Sequence, residues 1–315
     1  MSSKVGYIQR YMSIIRQVKR KKYISIEELI DSVQNHLAYY DDTDNIGISK
    51  STIRRDLREI RNNLRVNIEY SKTNNGYYIP DDEVSNFEML WESLDLLGVF
   101  YADKELPNFV LTEKRKSKGT EHLPILANAI KNSFVTEFFY LKYDNSYSHI
   151  RKVEPYALKE FRGRWYLLAT EIDGKLEERG MLKTWGLDRI QNLHITRQWF
   201  SKNRHINIEE EFKHSFGIFS NKEIEVEEVI LSFTPTGGKY NESFPLHESQ
   251  ETIIDNENEF RIRLHLKITY DFIMELLSQS EIMKVLAPTH LRETLIEIHR
   301  QAIELLEQGG GNEGR

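Results

Sequence analysis

Ser49-Lys50-Ser51-Thr52-Ile53-Arg54-Arg55-Asp56-Leu57-Arg58-Glu59-Ile60-Arg61-Asn62-Asn63-Leu64 is the stretch whose reading decides the fold. On a helix each residue advances by about 100°. Ile53, Leu57, Ile60 and Leu64 then share one face, and Ser51, Arg55, Arg58 and Asn62 share the opposite one, with Arg54 and Arg65 on its flanks. Such a helix buries an apolar stripe and turns a row of guanidinium groups outward. Arginine makes paired hydrogen bonds to a guanine edge or pairs with phosphate oxygens. Ser49, Ser51 and Thr52 stand at the helix start, where hydroxyls and free N–H groups hold a phosphate. Ser49, Ser51, Thr52, Arg54, Arg55, Arg58 and Asn62 are therefore the candidate DNA contacts. The competing reading is a small helical domain whose arginines only solubilise one face.

Upstream, Val5 to Lys22 carries Ile8, Met12, Ile15 and Val18 at spacings of three and four, which predicts a helix. Ser25 precedes Glu28 by the three residues of a capping box and opens a second helix through Leu29, Val33 and Leu37. Residues 38–46 are polar and acidic and read as a loop. Downstream, Val66–Tyr70 and Tyr77–Ile79 are short strand candidates around Asn75-Gly76, a hairpin signal. Helix, helix, basic helix and hairpin is the order of a winged helix-turn-helix, assigned to residues 1–80.

Composition fits that assignment. The chain has 315 residues, 39% hydrophobic and 29% charged, which suits soluble globular domains. With no cysteine, disulfide scaffolds, thiolate zinc sites and cysteine nucleophiles are excluded. No apolar run reaches the roughly 18–20 residues that span a bilayer, and the N-terminus lacks a secretory core. A cytoplasmic, non-membrane protein is expected. Residues 1–80 hold 14 Lys+Arg against 9 Asp+Glu, whereas the rest hold 29 against 40, so phosphate contacts should concentrate at the N-terminal end.

Residues 81–120 read as a helical linker. Phe87, Leu90, Trp91, Leu94 and Leu97 line an amphipathic helix that either joins domains, pairs two chains or packs on its own domain. Lys114–Gly119 is a basic, exposed stretch. After a helix around Leu123–Asn132, strand-prone sequence follows at Val135–Tyr143, Ile150–Leu158 and Arg164–Thr170, with a turn at Asp173-Gly174 and a closing block at Thr184–Ile190. Short strands with tight turns suggest a small barrel. Within Arg164–Thr170, Trp165 and Leu167 face one way and Tyr166 and Leu168 the other. Tyr166 and Arg189 make a stacking and neutralising pair for single-stranded nucleic acid. Alternatively, Tyr166 is a half-buried barrel residue and Arg189 pairs with Asp188 or another acid.

Three blocks carry a family resemblance: Arg151 with Glu154-Pro155-Tyr156 and Leu158, Gly163-Arg164-Trp165-Tyr166-Leu167, and Leu187-Asp188-Arg189-Ile190. Together they resemble a WYL domain, and the basic helix with Asn75-Gly76-Tyr77-Tyr78-Ile79 resembles the winged helix usually found ahead of it. The resemblance implies an Sm-like, SH3-type β-barrel over residues 121–200, acting as the ligand sensor of a bacterial transcription regulator. It implies a polar, basic pocket for a nucleic-acid or nucleotide effector. The matching positions are Arg151, Tyr166 and Arg189, with His149 and Asp188 beside them. Where the family often has a small hydroxyl residue this chain has His149. Where it often has an Arg-Thr-Phe-Arg run, this chain has Met181-Leu182-Lys183-Thr184-Trp185-Gly186, with Lys183 as its cation.

Residues 201–308 mix strands (Val226–Phe233, Ser249–Ile254, Phe260–Ile268) with a turn at Pro235–Gly238 and helices at Tyr270–Leu277 and through Leu291, Leu295, Ile298, Ala302 and Leu305. That pattern predicts a ferredoxin-like α+β extension, so the whole chain is α+β. Arg261 and Arg263 share a strand face that is more simply solvated charge than a binding surface. Residues 309–315 read as a disordered tail. No Walker loop, His-Glu-x-x-His or Gly-x-Ser-x-Gly pattern occurs. No enzyme, metal or cofactor is expected. The expected partners are an operator in double-stranded DNA, read by a homodimer that slightly favours repression, and the effector. The rival function is a single-stranded nucleic-acid-binding module acting through the barrel.

Overall fold

A computed structural model describes residues 4–38, 47–80, 118–143, 149–174 and 180–309. The chain divides into two units, Met1–Glu113 and Lys114–Arg315. The expected helix over 87–97, most of the 81–120 linker, most of the 38–46 loop and nearly all of the tail lie outside the described residues.

The first unit is built from α1 (Lys4–Arg20), α2 (Ile26–Ala38), α3 (Lys50–Glu59), β1 (Glu69–Ser71) and β2 (Gly76–Tyr78). Its core joins Ile15 and Val18 of α1, Leu29 and Val33 of α2, and Ile53, Leu57 and Ile60 of α3. The capping box forms as spaced: the Glu28 N–H donates to Ser25 Oγ at 3.2 Å, and the Ser25 N–H donates to Glu28 Oε2 at 3.3 Å. The third helix departs from expectation at its end. Ile60–Leu64 is a π turn, and Arg65 follows with φ 56°. A π turn slips the helical phase. Leu64 therefore leaves the apolar stripe and is 37% exposed.

The hairpin turn is Lys72–Asn75, and Gly76 belongs to β2 rather than to the turn. Its glycine answers to close packing. A Cβ there meets the Tyr23 carbonyl oxygen at 2.2 Å, because Ile24 and Tyr77 exchange backbone hydrogen bonds of 3.0 and 2.8 Å beside it. The hairpin is thereby tied to the α1–α2 connection.

The second unit opens with α4 (Leu123–Asn132). It continues as β3 (Phe134–Tyr140), β4 (His149–Phe161), β5 (Arg164–Glu171), β6 (Leu182–Gly186) and β7 (Ile190–Trp199), an antiparallel sheet of order β6-β5-β4-β3-β7. Contrary to expectation, this is no closed barrel among the described residues: no ladder joins β6 to β7. The expected closing block at Thr184–Ile190 is a strand end and a tight turn, Leu187–Arg189, that carries the chain from one sheet edge to the other. The sheet curls because β4 is long and its pairing with β5 is bulged between Pro155 and Ala157. The curled face encloses Phe138, Tyr140, Val153, Leu167, Ala169 and Trp185, and Leu126 of α4 joins them.

After α5 (Ile208–Phe212) come β8 (Val226–Phe233), α6 (Pro235–Ser243), β9 (Glu251–Asp255), β10 (Phe260–Lys267), α7 (Tyr270–Leu277), β11 (Met283–Ala287) and α8 (Thr289–Gly309). The antiparallel sheet runs β11-β8-β10-β9. Pro235–Gly238, expected as a turn, begins a helix. Thr234 caps it, accepting from the Gly237 N–H at 3.2 Å, and Pro235 sits at the first helical position. Gly238 is needed because a Cβ meets the Phe260 Cβ at 2.1 Å. Arg261 pairs with Glu259 at 2.7 Å, and Arg263 lies between Glu228 and Glu251. The β4–β5 hairpin packs on this module through Phe161 against Phe216, 5.6 Å between rings, and an Arg162–Glu275 ion pair. Among the described residues no helix is long and apolar enough to cross a membrane.

Candidate functional site

The first candidate is the outer face of α3. Arg54, Arg55, Arg58 and Asn62 are exposed, as are Ser49 and Ser51; Thr52 is half-buried. Ser49 is the N-cap: its Oγ accepts from the Thr52 N–H at 3.1 Å and lies 2.7 Å from Ser51 Oγ and 2.9 Å from Thr52 Oγ1. Part of the hydroxyl cluster is thus committed to starting the helix. Lys50 pairs with Glu27 of α2, and Arg61 turns back to donate to the Leu57 carbonyl at 3.1 Å. The outward guanidinium groups of Arg55 and Arg58 are held by a stripe in which Ile53 and Ile60 are fully buried.

Sequence reasoning passed over Asp56, which lies on the inner side of α3 and is fully buried. Arg10 of α1 closes on it with Nε and with Nη2, the latter 3.1 Å from Oδ1. A buried carboxylate survives only when paired. Nothing in the 46-residue separation reveals that partner.

The second candidate is the open end of the curled sheet. Residues paired across an antiparallel ladder share a face. Tyr140 lies opposite His149, Phe138 opposite Arg151, Val153 opposite Glu171, Ala169 opposite Lys183 and Leu167 opposite Trp185. All of these side chains therefore belong to the concave face. They end in a cleft of about 410 Å³ lined by Tyr140, Lys142, Tyr143, Lys183, Trp185 and Arg189.

The geometry is cationic and aromatic. The Arg189 guanidinium lies 4.8 Å from the Tyr140 ring centre and 5.0 Å from that of Tyr143. Arg151 lies 5.9 Å from the Trp185 ring. Beneath, Glu171 accepts from Arg151 at 2.6 Å and from Lys183 at 2.7 Å. Burial works against the Glu171 charge, but those two donors outweigh it and hold its pKa below the ordinary carboxylate value. Burial pushes the Tyr140 phenol up while Arg189 opposes the shift. The Trp185 indole N–H and Arg151 Nε are buried donors with no acceptor among the described residues.

The expected ligand residues divide. Arg189 lines the cleft, Arg151 lies beneath it between Glu171 and the Trp185 ring, and His149 is exposed at the strand position opposite Tyr140. Asp188 bounds it, accepting from the Tyr143 hydroxyl at 3.3 Å and lying 3.5 Å from Arg164. Tyr166 does not line it. It points to the other face of β5, where burial raises its phenol pKa, Asp188 and Asp271 adding to the rise and Arg164 and Arg189 opposing it. Sequence reading missed Tyr140, Tyr143, Trp185 and Glu171, since their convergence depends on strand register. Only Lys183 carried a signal, as the cation of the variant run. Among the described residues, no group of three or more acidic or histidine side chains is placed to hold a metal ion.

Residues 121–195 match the family model of the WYL domain, and this segment is a WYL domain. No curated protein matches the chain. Among solved structures the chain is similar to Proteasome accessory factor B/C (PafBC) of Arthrobacter aurescens at 17% identity and a TM-score of 0.33. That match covers 92% of this chain and 45% of that one, so the chain spans less than half the length of that relative. It is also similar to a CRISPR Cas-related protein at 12% identity and a TM-score of 0.41, with 97% of this chain and 86% of the other covered.

Proposed function

We propose that this chain is a sequence-specific DNA-binding transcriptional regulator whose DNA affinity is set by a ligand bound at the WYL domain. The first unit acts as a winged helix-turn-helix, with α3 in the major groove and the β1–β2 hairpin against the backbone or minor groove. The WYL domain is the sensor, and the β-α-β-β-α-β module behind it is a ferredoxin-like extension. The observation that carries this reading is the division of α3. Its apolar stripe is buried, while Arg54, Arg55, Arg58 and Asn62 stand in solvent on one side.

The effector is a nucleic acid or nucleotide. The cleft offers the exposed Tyr143 ring for stacking, the Arg189 guanidinium over it, and two buried donors beneath that have no acceptor among the described residues. The protein works as a cytoplasmic homodimer on a two-half-site operator, carries out no catalysis, and represses by occupying promoter DNA. Footprinting on the DNA upstream of its own gene, with and without a single-stranded oligonucleotide, tests this. Protection that the oligonucleotide changes supports it, and no protection anywhere on that DNA overturns it.

A second reading is favoured by the same arginine–tyrosine stack: a single-strand-binding module acting through the cleft alone. It requires single-strand binding that survives loss of Arg54, Arg55 and Arg58 and no preference for any duplex sequence.

A further inference from the structure

Leu291 and Leu295, both buried, anchor α8 on the four-stranded sheet. Beyond Leu295 no described residue of α8 is buried, yet this half carries Ile296, Ile303, Leu305 and Leu306, the last 77% exposed. A helical segment of this length is marginal alone in water, and a contiguous exposed apolar patch marks an interaction site. At about 100° per residue, Ile296, His299, Ile303 and Leu306 fall along one line, with Ala302 beside it. The line starts in a groove of about 400 Å³ between α8 and the edge strand β11, walled by Met283, Leu286, Leu295 and Ile296, with Arg292 at its rim.

We propose that this surface joins two copies of the chain, the free half of α8 in one copy lying antiparallel along the groove of the other. The occupant follows from the placement. Groove wall and projecting apolar line sit on one helix, so a twofold axis near His299 makes the patch complementary to itself, as an isologous interface requires. Leu295 then meets the partner's Ile303, and Ile296 meets the partner's Ala302. Charge agrees with the same register. Arg292 at the groove end falls beside the partner's Glu307 at the free end, twice per dimer. Glu293 and Glu297 lie away from this line.

The inference supplies the dimer that the proposed function calls for and rests on that reading only for its biological use. Sedimentation velocity on the full chain tests it. Wild type is expected as two chains per particle at micromolar concentration, and Ile303→Asp/Leu306→Asp as one, with an unchanged far-ultraviolet circular dichroism spectrum because both positions are solvent-exposed in the single chain. Arg292→Glu and Glu307→Arg are each expected to weaken self-association about tenfold, and their combination to restore it. A wild type that stays a single chain overturns the interface. So does a double aspartate variant that stays dimeric, or charge reversals that fail to compensate. If the dimer splits as stated but wild type protects no DNA, the interface stands and the regulator reading falls. If DNA is protected and the variants stay dimeric, the reverse holds.

Discussion

Arg10 of α1 and Asp56 of α3 form a buried ion pair at the back of the proposed recognition helix, with Asp56 fully shielded and Arg10 only 15% exposed. The pair fixes where α3 sits against α1, so one helix face can be presented outward at a defined angle. Removing either partner strands the other. Arg10→Ala or Asp56→Ala is expected to cost about 3–5 kcal/mol of folding stability. Arg10→Met/Asp56→Leu is expected to cost less than either single change, because no orphaned charge remains. Urea unfolding of the three variants checks this. A double variant as unstable as the sum of the singles rules out the stranded-charge explanation.

That pair also marks where sequence stops being readable. The stripe of Ile53, Leu57 and Ile60 was legible because helical period alone puts those residues on one side. Leu64 was misplaced because a π turn, which no pattern announces, slips the phase after Ile60. Strands β3, β4, β5 and β6 were legible as strands, but β7 (Ile190–Trp199), beyond the expected closing block, was not, nor was any of the pairing. Glu171 meets Arg151 from 20 residues away and Lys183 from 12 because two ladder registers align them, and neither register is encoded locally. The barrel expectation failed for a related reason: curl and closure are decided by bulges and edges, which local composition does not fix.

Loss of the outward arginines separates DNA contact from folding. Arg55→Ala and Arg58→Ala are each expected to weaken operator binding and lower the salt slope by about one. For Arg58→Ala, whose side chain lies in solvent, stability should move by less than about 0.5 kcal/mol, whereas Arg55 also lies 3.7 Å from the buried Asp56 carboxylate and its loss adds a small further cost. Fluorescence anisotropy across a salt series is the measurement. An unchanged slope in both variants removes α3 from the interface.

Gly76→Ala probes the docking of the hairpin. The added Cβ meets backbone atoms of Tyr23 closer than 3 Å, and backbone has no rotamer through which to yield. The Ile24–Tyr77 hydrogen bonds must open, with a cost of about 2 kcal/mol. Amide exchange at Ile24 and Tyr77 should quicken while exchange in α7 and α8 stays unchanged. Protection retained at both amides contradicts the close approach.

Glu171 gives the ligand cleft a pH signature. Its folded pKa is depressed below the ordinary 4.5. Its stabilising contribution is therefore complete above that ordinary value and is lost as pH falls through the lower folded one. Glu171→Gln is expected to cost about 2 kcal/mol near neutrality. The gap between wild type and variant should narrow as the pH is lowered past about 4.5. Thermal unfolding of both proteins across a series of pH values that runs from neutrality to below 4.5 reads it directly. A gap that widens on acidification places the sign, and so the assignment of Arg151 and Lys183 as its partners, in error.

Arg189 is where stacking and charge are separable. Its guanidinium carbon lies 4.8 Å and 5.0 Å from the centres of the Tyr140 and Tyr143 rings, and an ammonium does not reproduce the contacts of a delocalised guanidinium there even though it keeps the charge. If the cleft recognises a nucleotide through this stack, Arg189→Lys should weaken binding of a short single-stranded oligonucleotide about tenfold. Operator affinity without oligonucleotide should stay as it is, since the substitution lies in the WYL domain. If Arg189→Lys binds as wild type while Arg189→Ala does not, charge alone is recognised and the aromatic walls are packing. If both bind as wild type, the cleft is not where the oligonucleotide acts. The same titration, repeated at higher salt, distinguishes these cases again, because a stacked contact loses less affinity than an ion pair as counterions accumulate.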